Sequence, residues 1–558
     1  MGLLRLHVAA AGVVAFALAS SSAASTPASS SIRFVAPDEM LGSGCASQSD
    51  CGYLPGLACV RSTCTLCDVD ADCGATPSDT SKRCVVDHGT TTVTSVDGTT
   101  TTFRPNSVCM EKNLFDPFTT HDAVASLLAF LCTALGSAAG TGGGGLLVPM
   151  YILAFGLGPK HAVPMSKTTI FGGAIATLMV NVMKKHPYRS RRPLIDYTLS
   201  AMMEPPTLIG TIFGVMGNAT FPSWLILGLL LALLSFMAVR TLQKVQHIDA
   251  LEKATTQSEI VQLIPTQTSR VPDPKDIAKQ ARIQQQDYQD FETLAPVVVP
   301  ANMDKTVYFR QLKTQLEDEE SHVFPWTYVL PLVLCWLLIF AQSLFRGGHG
   351  TPSVVGIPCG SSTYWLLTCV PLVGLILITW FMGQRLRVRN QLRVLSGADF
   401  AVGDVHWTKK TAQIVFPIYC VVAGVASGLL GIGGGMVQNP IMLEYGLLPA
   451  VSSASASYMI LFTSSATTLQ FAVAGQFPGQ LQYDYILWYS LMGFLGGCFG
   501  QNCVGIIVKK YKRSSILVYV LAFTIAASAV AMGISGYETV IHDFTKGVHL
   551  GFSNVCGK

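Results

Sequence analysis

Charged residues are scarce in this chain. Of its 558 residues only 13% are Asp, Glu, Lys or Arg, whereas 50% are hydrophobic and the mean hydropathy is +0.44. Soluble domains rarely have this composition, and polytopic membrane proteins usually do. The net charge of +4 gives no indication of a nucleic-acid partner. The composition therefore predicts an all-α protein that crosses a lipid bilayer several times.

Catalytic and nucleotide-binding signatures are missing as well. The sequence contains no GxSxG, no HExxH and no Walker A motif, and the polar segment 241–324 has no glycine-rich phosphate loop. We therefore expect neither enzyme activity nor ATP hydrolysis in this chain, and neither a cofactor nor a metal.

The N-terminus has the layout of a secretory signal. Arg5 provides a positive charge, residues 8–18 form a short apolar core and residues 20–25 are small. This pattern predicts a signal peptide over residues 1–24, cleaved near Ala24. The alternative is a first transmembrane helix, although the apolar run is short for a hydrocarbon core of about 30 Å.

Cysteine is concentrated directly after this segment. An even number of cysteines behind a signal peptide favours a small disulfide-stapled module outside the cytoplasm, over residues 25–117. Eight cysteines allow 105 pairings, so no connectivity is assigned. The alternative is that Cys64 and Cys67 form a zinc or redox pair. The eight are Cys45, Cys51, Cys59, Cys64, Cys67, Cys73, Cys84 and Cys109.

Basic residues cluster between the apolar segments that begin near residue 118. The clusters at 184–192, 385–393 and 509–513 are expected in the cytoplasm. The resulting topology puts the Asn218 sequon on the outer face, as a glycosylation candidate. The predicted order is a first transmembrane repeat (118–240), a cytoplasmic linker (241–324), two central helices (325–384), a cytoplasmic loop (385–410), a second repeat (411–535) and an external tail (536–558).

Two glycine clusters lie at corresponding places in these halves. GTGGGGLLVP begins at Gly140, and GIGGGMVQNP begins 291 residues later at Gly431. Each precedes an apolar segment too short to span a bilayer. Further on, Asp196-Tyr and Asp484-Tyr open corresponding helices, on opposite faces of the predicted topology. The pattern predicts an inverted-topology repeat of helix bundles with glycine-broken helices.

The glycines indicate where a substrate would bind. Glycine releases the backbone from helical geometry and lets another backbone or a ligand come close. The short helix that follows begins with free N–H groups and the positive end of its dipole, so two such helices converging from opposite sides form an anion site. The alternative is that the glycines only permit close packing of helices.

These segments resemble the sulfite exporter TauE/SafE family of membrane transporters. The resemblance lies in the two glycine motifs, in AVPMSKTT from Ala162 and in VSSASAS from Val451, and it covers roughly residues 120–240 and 320–535. It implies export or import of small anions, chiefly sulfite, sulfonates and related oxyanions. Long eukaryotic members are the most similar, and the cysteine-rich module lies outside the family pattern.

Side chains near the glycine clusters are the candidate ligands. Lys167 is the basic residue inside a span, where it would meet the anion, pair with Glu204, or extend to the outer interface. Glu204 is the proton-coupling candidate, or else a structural carboxylate bonded to backbone that the following prolines release. The predicted substrate-binding residues are Gly142, Gly143, Gly144, Gly145, Lys167, Thr168, Gly433, Gly434, Gly435, Gln438, Asn439 and Ser453.

The sequence therefore predicts a secondary transporter that moves a small anion, such as sulfite, sulfate or an organosulfonate, by alternating access. Protons are the candidate coupling ion. The protein is expected to enter the secretory pathway and to reside in the plasma membrane or an endomembrane. Two alternatives stay open, namely an anion channel and a membrane receptor or adaptor that binds its ligand through the cysteine-rich module.

Overall fold

The computed structural model describes most of the chain from residue 57 onward. The described residues are 57–73, 82–86, 92–94, 100–102, 107–115, 118–155, 159–222, 224–239, 241–243, 305–346, 361–396, 409–478, 482–511 and 515–545, with single positions at 42, 44, 45, 157, 355, 357, 360, 405 and 407. The signal-peptide prediction lies outside these residues, as do most of the linker and the last 13 residues.

The N-terminal module is built from short antiparallel strand pairs. β1 pairs with β2, β3 with β6, and β4 with β5. Disulfides join Cys45 to Cys59, Cys67 to Cys84, and Cys73 to Cys109. Cys64 is disulfide-bonded too, whereas Cys51 lies outside the described residues. The strands are β1 (Ala58–Val60), β2 (Thr63–Thr65), β3 (Lys82–Val86), β4 (Thr92–Thr94), β5 (Thr100–Thr102) and β6 (Ser107–Glu111).

The rest of the described chain is mostly helical. Six of these helices are long and apolar enough to cross a membrane, as the composition predicts, with α9 counted together with the π-helical turn Thr411–Val415 that precedes it. The helices are α1 (Thr120–Ala138), α2 (Gly144–Phe155), α3 (Pro159–Asn181), α4 (Tyr197–Thr220), α5 (Trp224–Gln243), α6 (Lys305–Ser321), α7 (Trp326–Arg346), α8 (Ser362–Leu395), α9 (Phe416–Leu430), α10 (Gly435–Glu444), α11 (Pro449–Val473), α12 (Gln482–Tyr511) and α13 (Ser515–Thr545).

Local sequence explains where several of these helices begin. Thr119 and Asp122 form a capping box at the start of α1, in which each side chain accepts a hydrogen bond from the other's backbone N–H. Asp196 and Ser361 are the N-caps of α4 and α8 and accept from Leu199 N and Tyr364 N. Each cap satisfies an N–H group that has no acceptor within its own helix.

The bundle has two distinguishable ends. At one end, here called the stem end, residues 112–118 lead from the module into α1. Lys112 Nζ lies 2.5 Å from Asp122 Oδ2, and Leu114 N donates to Asp484 Oδ2 at 2.7 Å. The starts of α1 and α12 are therefore held together beneath the module.

The opposite end, here called the basic end, carries the β7–β8 hairpin. β7 (Lys185–His186) and β8 (Arg189–Pro193) connect α3 to α4. Arg192 of this hairpin lines the same cavity as Arg389 and Arg393 near the end of α8. Residues of the first two basic clusters thus lie at the same end of the bundle.

Glycines allow the closest helix packing. A Cβ on Gly214 of α4 would lie 2.6 Å from Val425 O of α9. A Cβ on Gly500 of α12 would clash with Ala134 O of α1. Val425 lies 291 residues after Ala134, and Gly500 lies 286 residues after Gly214. The packing of α4 on α9 is therefore matched, at a nearly constant spacing along the chain, by that of α12 on α1.

Candidate functional site

The two glycine clusters meet at the centre of the bundle. Just after α1 and α9 end, the backbone has a positive φ of +73° at Gly140 and at Gly431. Residues other than glycine rarely adopt this conformation. A Cβ on Gly144 would lie 2.6 Å from Gly433 N, and one on Gly435 would lie 2.9 Å from Gly140 O. The backbones are thus in direct contact, and the two expected short helices, α2 and α10, begin at this contact.

The environments of the two clusters match. A Cβ on Gly140 would meet Ser453 Cα of α11 at 2.7 Å, and one on Gly431 would meet Val163 Cα of α3 at 3.0 Å. Ser453 and Val163 lie 290 residues apart, close to the 291 residues between the glycines. Ser453 therefore packs against the first cluster, and its carbonyl accepts from Ser457 Oγ at 2.9 Å.

Gly434 differs from the other predicted site glycines. A Cβ on Gly142 or Gly143 would lie 2.8 Å from a neighbouring atom and one on Gly145 would be closer still, whereas a Cβ on Gly434 would have no neighbour nearer than 3.8 Å. The backbone of Gly434 is right-handed, with φ −50°, at the N-cap of α10. Gly434 is thus distinguished by the larger distance from an added Cβ to its neighbours, and not by a special backbone conformation.

The side chains around Gly434 belong to polar residues. Gln438 Oε1, Ser427 Oγ and Thr207 Cγ2 would each lie 3.8 Å from the added Cβ. Gln438 Nε2 donates to Thr207 Oγ1 at 2.7 Å, and Gln438 Oε1 has no hydrogen-bond partner. Gly434 provides no capping side chain, and the N–H groups of Met436 and Val437 donate instead to Gly433 O at 2.9 Å and to Gly434 O at 3.1 Å.

Lys167 reaches this cluster from α3. Its side chain is 1% exposed, and Nζ donates to Ser427 Oγ at 2.6 Å and to Ile432 O at 2.7 Å. Lys167 therefore extends neither to the surface nor to Glu204, with which it forms no ion pair. An ammonium group has three N–H donors, so one remains for a ligand. A buried cation is costly unless an anion accompanies it.

Glu204 lies one turn before Thr207 on α4 and is fully buried. Thr463 Oγ1 of α11 donates to Glu204 Oε1 at 2.9 Å, and Oε2 has no partner. The carboxyl group is therefore bonded to a hydroxyl on another helix, and not to backbone released by Pro205 and Pro206.

Two of the predicted residues have other partners. Thr168 bonds to α12, through Ser490 Oγ at 2.9 Å. Asn439 Nδ2 donates to Ala139 O at 3.0 Å, and its Oδ1 accepts from Ser452. Asn439 thus fastens α10 to the end of α1, and the structure gives neither residue a free atom at the Gly434 space.

Asn218 is buried within α4, where Nδ2 donates to Leu429 O at 2.9 Å. A glycan on this amide would need access that the helix packing does not give. The placement therefore argues against the glycosylation prediction.

Thr207, Ser427 and Thr463 belong to the cluster, and the sequence reasoning did not select them. Each lies on a different helix and lacks a motif of its own. Only weak signals mark them, since Ser427 precedes the second glycine cluster by four residues and Thr207 follows Glu204 by three. A hydroxyl inside an apolar helix usually bonds to its own backbone, as Thr207 Oγ1 does to Met203 O.

The arrangement suits an oxyanion. It combines the buried amino group of Lys167, the Gln438 amide, the Ser427 hydroxyl and a helix N-terminus, which can each donate hydrogen bonds, while the Gln438 atom beside Gly434 is the acceptor Oε1. Among the side chains described, no carboxylate pairs with the cation. Among the described residues, a group that resembles a metal site is formed by Cys67, Cys73 and Cys109. These cysteines belong to the module, and their sulfurs form disulfides.

Comparison with known proteins identifies the family. The family model "Sulfite exporter TauE/SafE" matches residues 125–275 and 347–532. Sulfite exporter TauE/SafE family protein 2 of Arabidopsis thaliana is 30% identical over 446 residues, which are 78% of this chain and 88% of that protein. Family protein 1 of the same plant is 26% identical over 437 residues, which are 78% of this chain and 88% of that protein.

A bacterial protein matches over a shorter stretch. The probable membrane transporter protein YtnM of Bacillus subtilis is 29% identical over 98 residues, which are 18% of this chain and 33% of YtnM. No solved structure matches the chain. Because the family model and the plant relative match most of its length, the chain belongs to the sulfite exporter TauE/SafE family of membrane transporters.

Proposed function

We propose that this protein is a secondary transporter that moves a small oxyanion such as sulfite, sulfate or an organosulfonate. The observation that carries the proposal is the buried amino group of Lys167, which bonds to Ser427 and Ile432 next to Gly434, where an added Cβ would have no neighbour nearer than 3.8 Å. A cation held in the protein interior without a carboxylate partner has a strong electrostatic preference for an anion. The reaction is translocation, and no chemical step is assigned to the site.

The donor set favours an anion with several oxygens. Lys167 would provide the charge, the N–H of the Gln438 amide that is not bonded to Thr207 would provide a directional donor, and Gly434 would keep side-chain atoms away from the ligand. Neutral and charge-assisted donors together bind oxyanions without a metal. The names of the plant relatives point to sulfite, so sulfite is the first substrate to test.

The inverted repeat is part of the same proposal. Its support is the nearly constant spacing of the paired contacts, with Gly140 on Ser453 matched by Gly431 on Val163. Two halves that face opposite ways and share a central site are the usual basis of alternating access. The broken helices are compatible with membrane depth because protein surrounds their free backbone groups.

Glu204 is proposed as the proton-binding group. It is buried on the same helix as Thr207, and its Oε2 has no partner among the described residues. A carboxyl group in such a place can take up and release a proton as the site opens to either side. The charge carried with the anion would then be balanced by protons.

The basic end is proposed to face the cytoplasm, and the stem end the lumen or the exterior. The shared location of the Arg192 and Arg389 clusters supports the first assignment. The disulfides of the module support the second, because disulfides persist in oxidising compartments. The corresponding membranes are those of the secretory pathway, including the plasma membrane.

Anion uptake into proteoliposomes tests the function. The purified full-length protein is reconstituted, and initial uptake of radiolabelled sulfite, sulfate and an organosulfonate is measured against protein-free liposomes. A transporter gives a saturable rate that excess unlabelled substrate abolishes. A rate that rises without saturation would favour the channel, and no uptake of any of the three anions would favour the receptor or adaptor.

A further inference from the structure

A charged cavity lies at the basic end of the bundle. Its walls come from the end of the β7–β8 hairpin, the start of α4, the end of α6 and the last turns of α8. The charged residues lining it are Arg192, Asp196, Glu320, Arg389 and Arg393. Three guanidinium groups and two carboxylates thus share one cavity.

Glu320, the carboxylate supplied by α6, is engaged on both oxygens. Arg393 Nη2 lies 2.9 Å from Glu320 Oε1 and 3.1 Å from Oε2, and Arg389 Nη2 lies 3.4 Å from Oε1. The three side chains are only 10–12% exposed. Ion pairs that are this well buried and this well bonded are stronger than exposed pairs.

Two of the arginines, Arg389 and Arg192, have partners outside α6. Arg389 also donates to Tyr328 Oη, and its guanidinium carbon lies 5.4 Å from the centre of the Tyr328 ring. Arg192 lies 3.3 Å from Asp196, four residues further along the chain. The cavity is thus organised by the transmembrane helices and the hairpin, while Glu320 is a group that α6 inserts.

The attachment of α6 is narrow. Leu316, 7% exposed, and Glu320 are four residues apart and so lie on one face of the helix. Glu317 is exposed, and Glu319, although 3.5 Å from Arg389, is 62% exposed. A single carboxylate and a single leucine therefore account for most of the buried contact at this end of α6.

The cavity also touches the helix that carries the proposed substrate site. Asp196 and Leu199 in its wall belong to the start of α4, and Glu204 and Thr207 follow within three turns. α8, on the other wall, belongs to the central pair of helices. Through Glu320, α6 thus holds the linker against a boundary between α4 and α8.

The geometry points to an oxyanion-binding site in this cavity, with Glu320 as its built-in occupant and α6 as a latch that a free sulfate-like or phosphate-like dianion displaces. Guanidinium groups bind carboxylate, sulfate and phosphate oxygens with the same fork geometry. A dianion brings more charge to the arginines than one carboxylate does. This site does not depend on the proposed transport function.

Hydrogen exchange of the full chain in lipid nanodiscs tests the latch without relying on transport. Glu320→Gln should increase exchange of the amides of residues 305–321 about tenfold, as expected for the loss of a charge-assisted hydrogen bond. Glu317→Gln makes the same charge change on the same helix, one turn from the cavity, and should leave exchange unchanged. Equal exchange in the two variants would overturn the latch.

Sodium sulfate tests the occupant. In the wild type, sulfate should increase exchange of residues 305–321 more than sodium chloride at equal ionic strength. In Glu320→Gln, sulfate should protect residues 386–396, and the additional change Arg393→Gln should abolish this protection. Equal effects of sulfate and chloride would mean simple screening and would overturn the oxyanion site. Failure of anion uptake with an intact sulfate response would refute transport alone.

Discussion

Replacing Lys167 with methionine tests the proposed substrate site most directly. Methionine has a similar length and volume but neither charge nor donors, so Lys167→Met removes the bonds to Ser427 Oγ and Ile432 O together with the donor left for a ligand. Because the helices around the site retain their own backbone hydrogen bonds, the protein should still fold and reach the membrane.

The magnitude follows from the contacts. A hydrogen bond to a charged group contributes about 1.5–3 kcal/mol, and about 1.4 kcal/mol corresponds to a tenfold change. Uptake at low substrate should therefore fall roughly 10- to 100-fold. Two opposing effects should leave the free energy of unfolding nearly unchanged. Leaving Ile432 O without its donor costs about 1–3 kcal/mol, whereas removing a buried charge is stabilising.

The assay is the initial rate of radiolabelled sulfite uptake into proteoliposomes, normalised to the amount of folded protein. Lys160→Met is the matched control. Lys160 also lies on α3, but it bonds to Ala219 O at 3.3 Å near the stem end. Uptake should fall in Lys167→Met and stay near the wild-type rate in Lys160→Met. Equal rates in the two variants would refute Lys167 as a substrate ligand.

Three further predictions concern the proton, the glycines and the module. Glu204→Gln should abolish uptake driven by a pH gradient while substrate exchange continues; unchanged pH-driven uptake would exclude the coupling role. Gly144→Ala should lower the thermal stability by about 1–3 kcal/mol through overpacking, because its Cβ would lie 2.6 Å from Gly433 N, whereas Gly434→Ala should not; similar melting temperatures would contradict this. The eight cysteines from Cys45 to Cys109 should resist alkylation of the folded protein until it is reduced, and ready labelling would contradict the disulfides.

Sequence reasoning succeeded where the signal was local. The glycine clusters at 140–145 and 431–435 identified the ends of α1 and α9 and the starts of two short helices. A helix that ends at a residue with positive φ nearly requires glycine there. The apolar segments identified the spanning helices for a similar reason, since a bilayer accepts only long uncharged runs. Both patterns are written in neighbouring residues and need no tertiary information.

The reasoning failed where a residue's role depends on its partner. Lys167, Thr168 and Asn439 looked alike as polar residues near a glycine cluster, yet only Lys167 faces the space at Gly434. Asn218 matched a glycosylation sequon and is instead a buried helix-packing residue. The direction of a side chain on a buried helix is set by which helix packs against it, which a single sequence does not state.

By itself, then, the sequence determined that this is a helical membrane protein with duplicated glycine motifs and a disulfide-rich module. Only the tertiary structure decided that the two glycine clusters touch, that Lys167 crosses to Ser427 and Ile432 on the other half, and that Glu320 of the linker lies between arginines. Composition and residue spacing determine which segments form membrane-spanning helices, because this depends on local backbone geometry and on the free energy of transfer into lipid. Contacts across some 260 residues of chain, as between Lys167 and Ser427, depend on the packing of all the helices together.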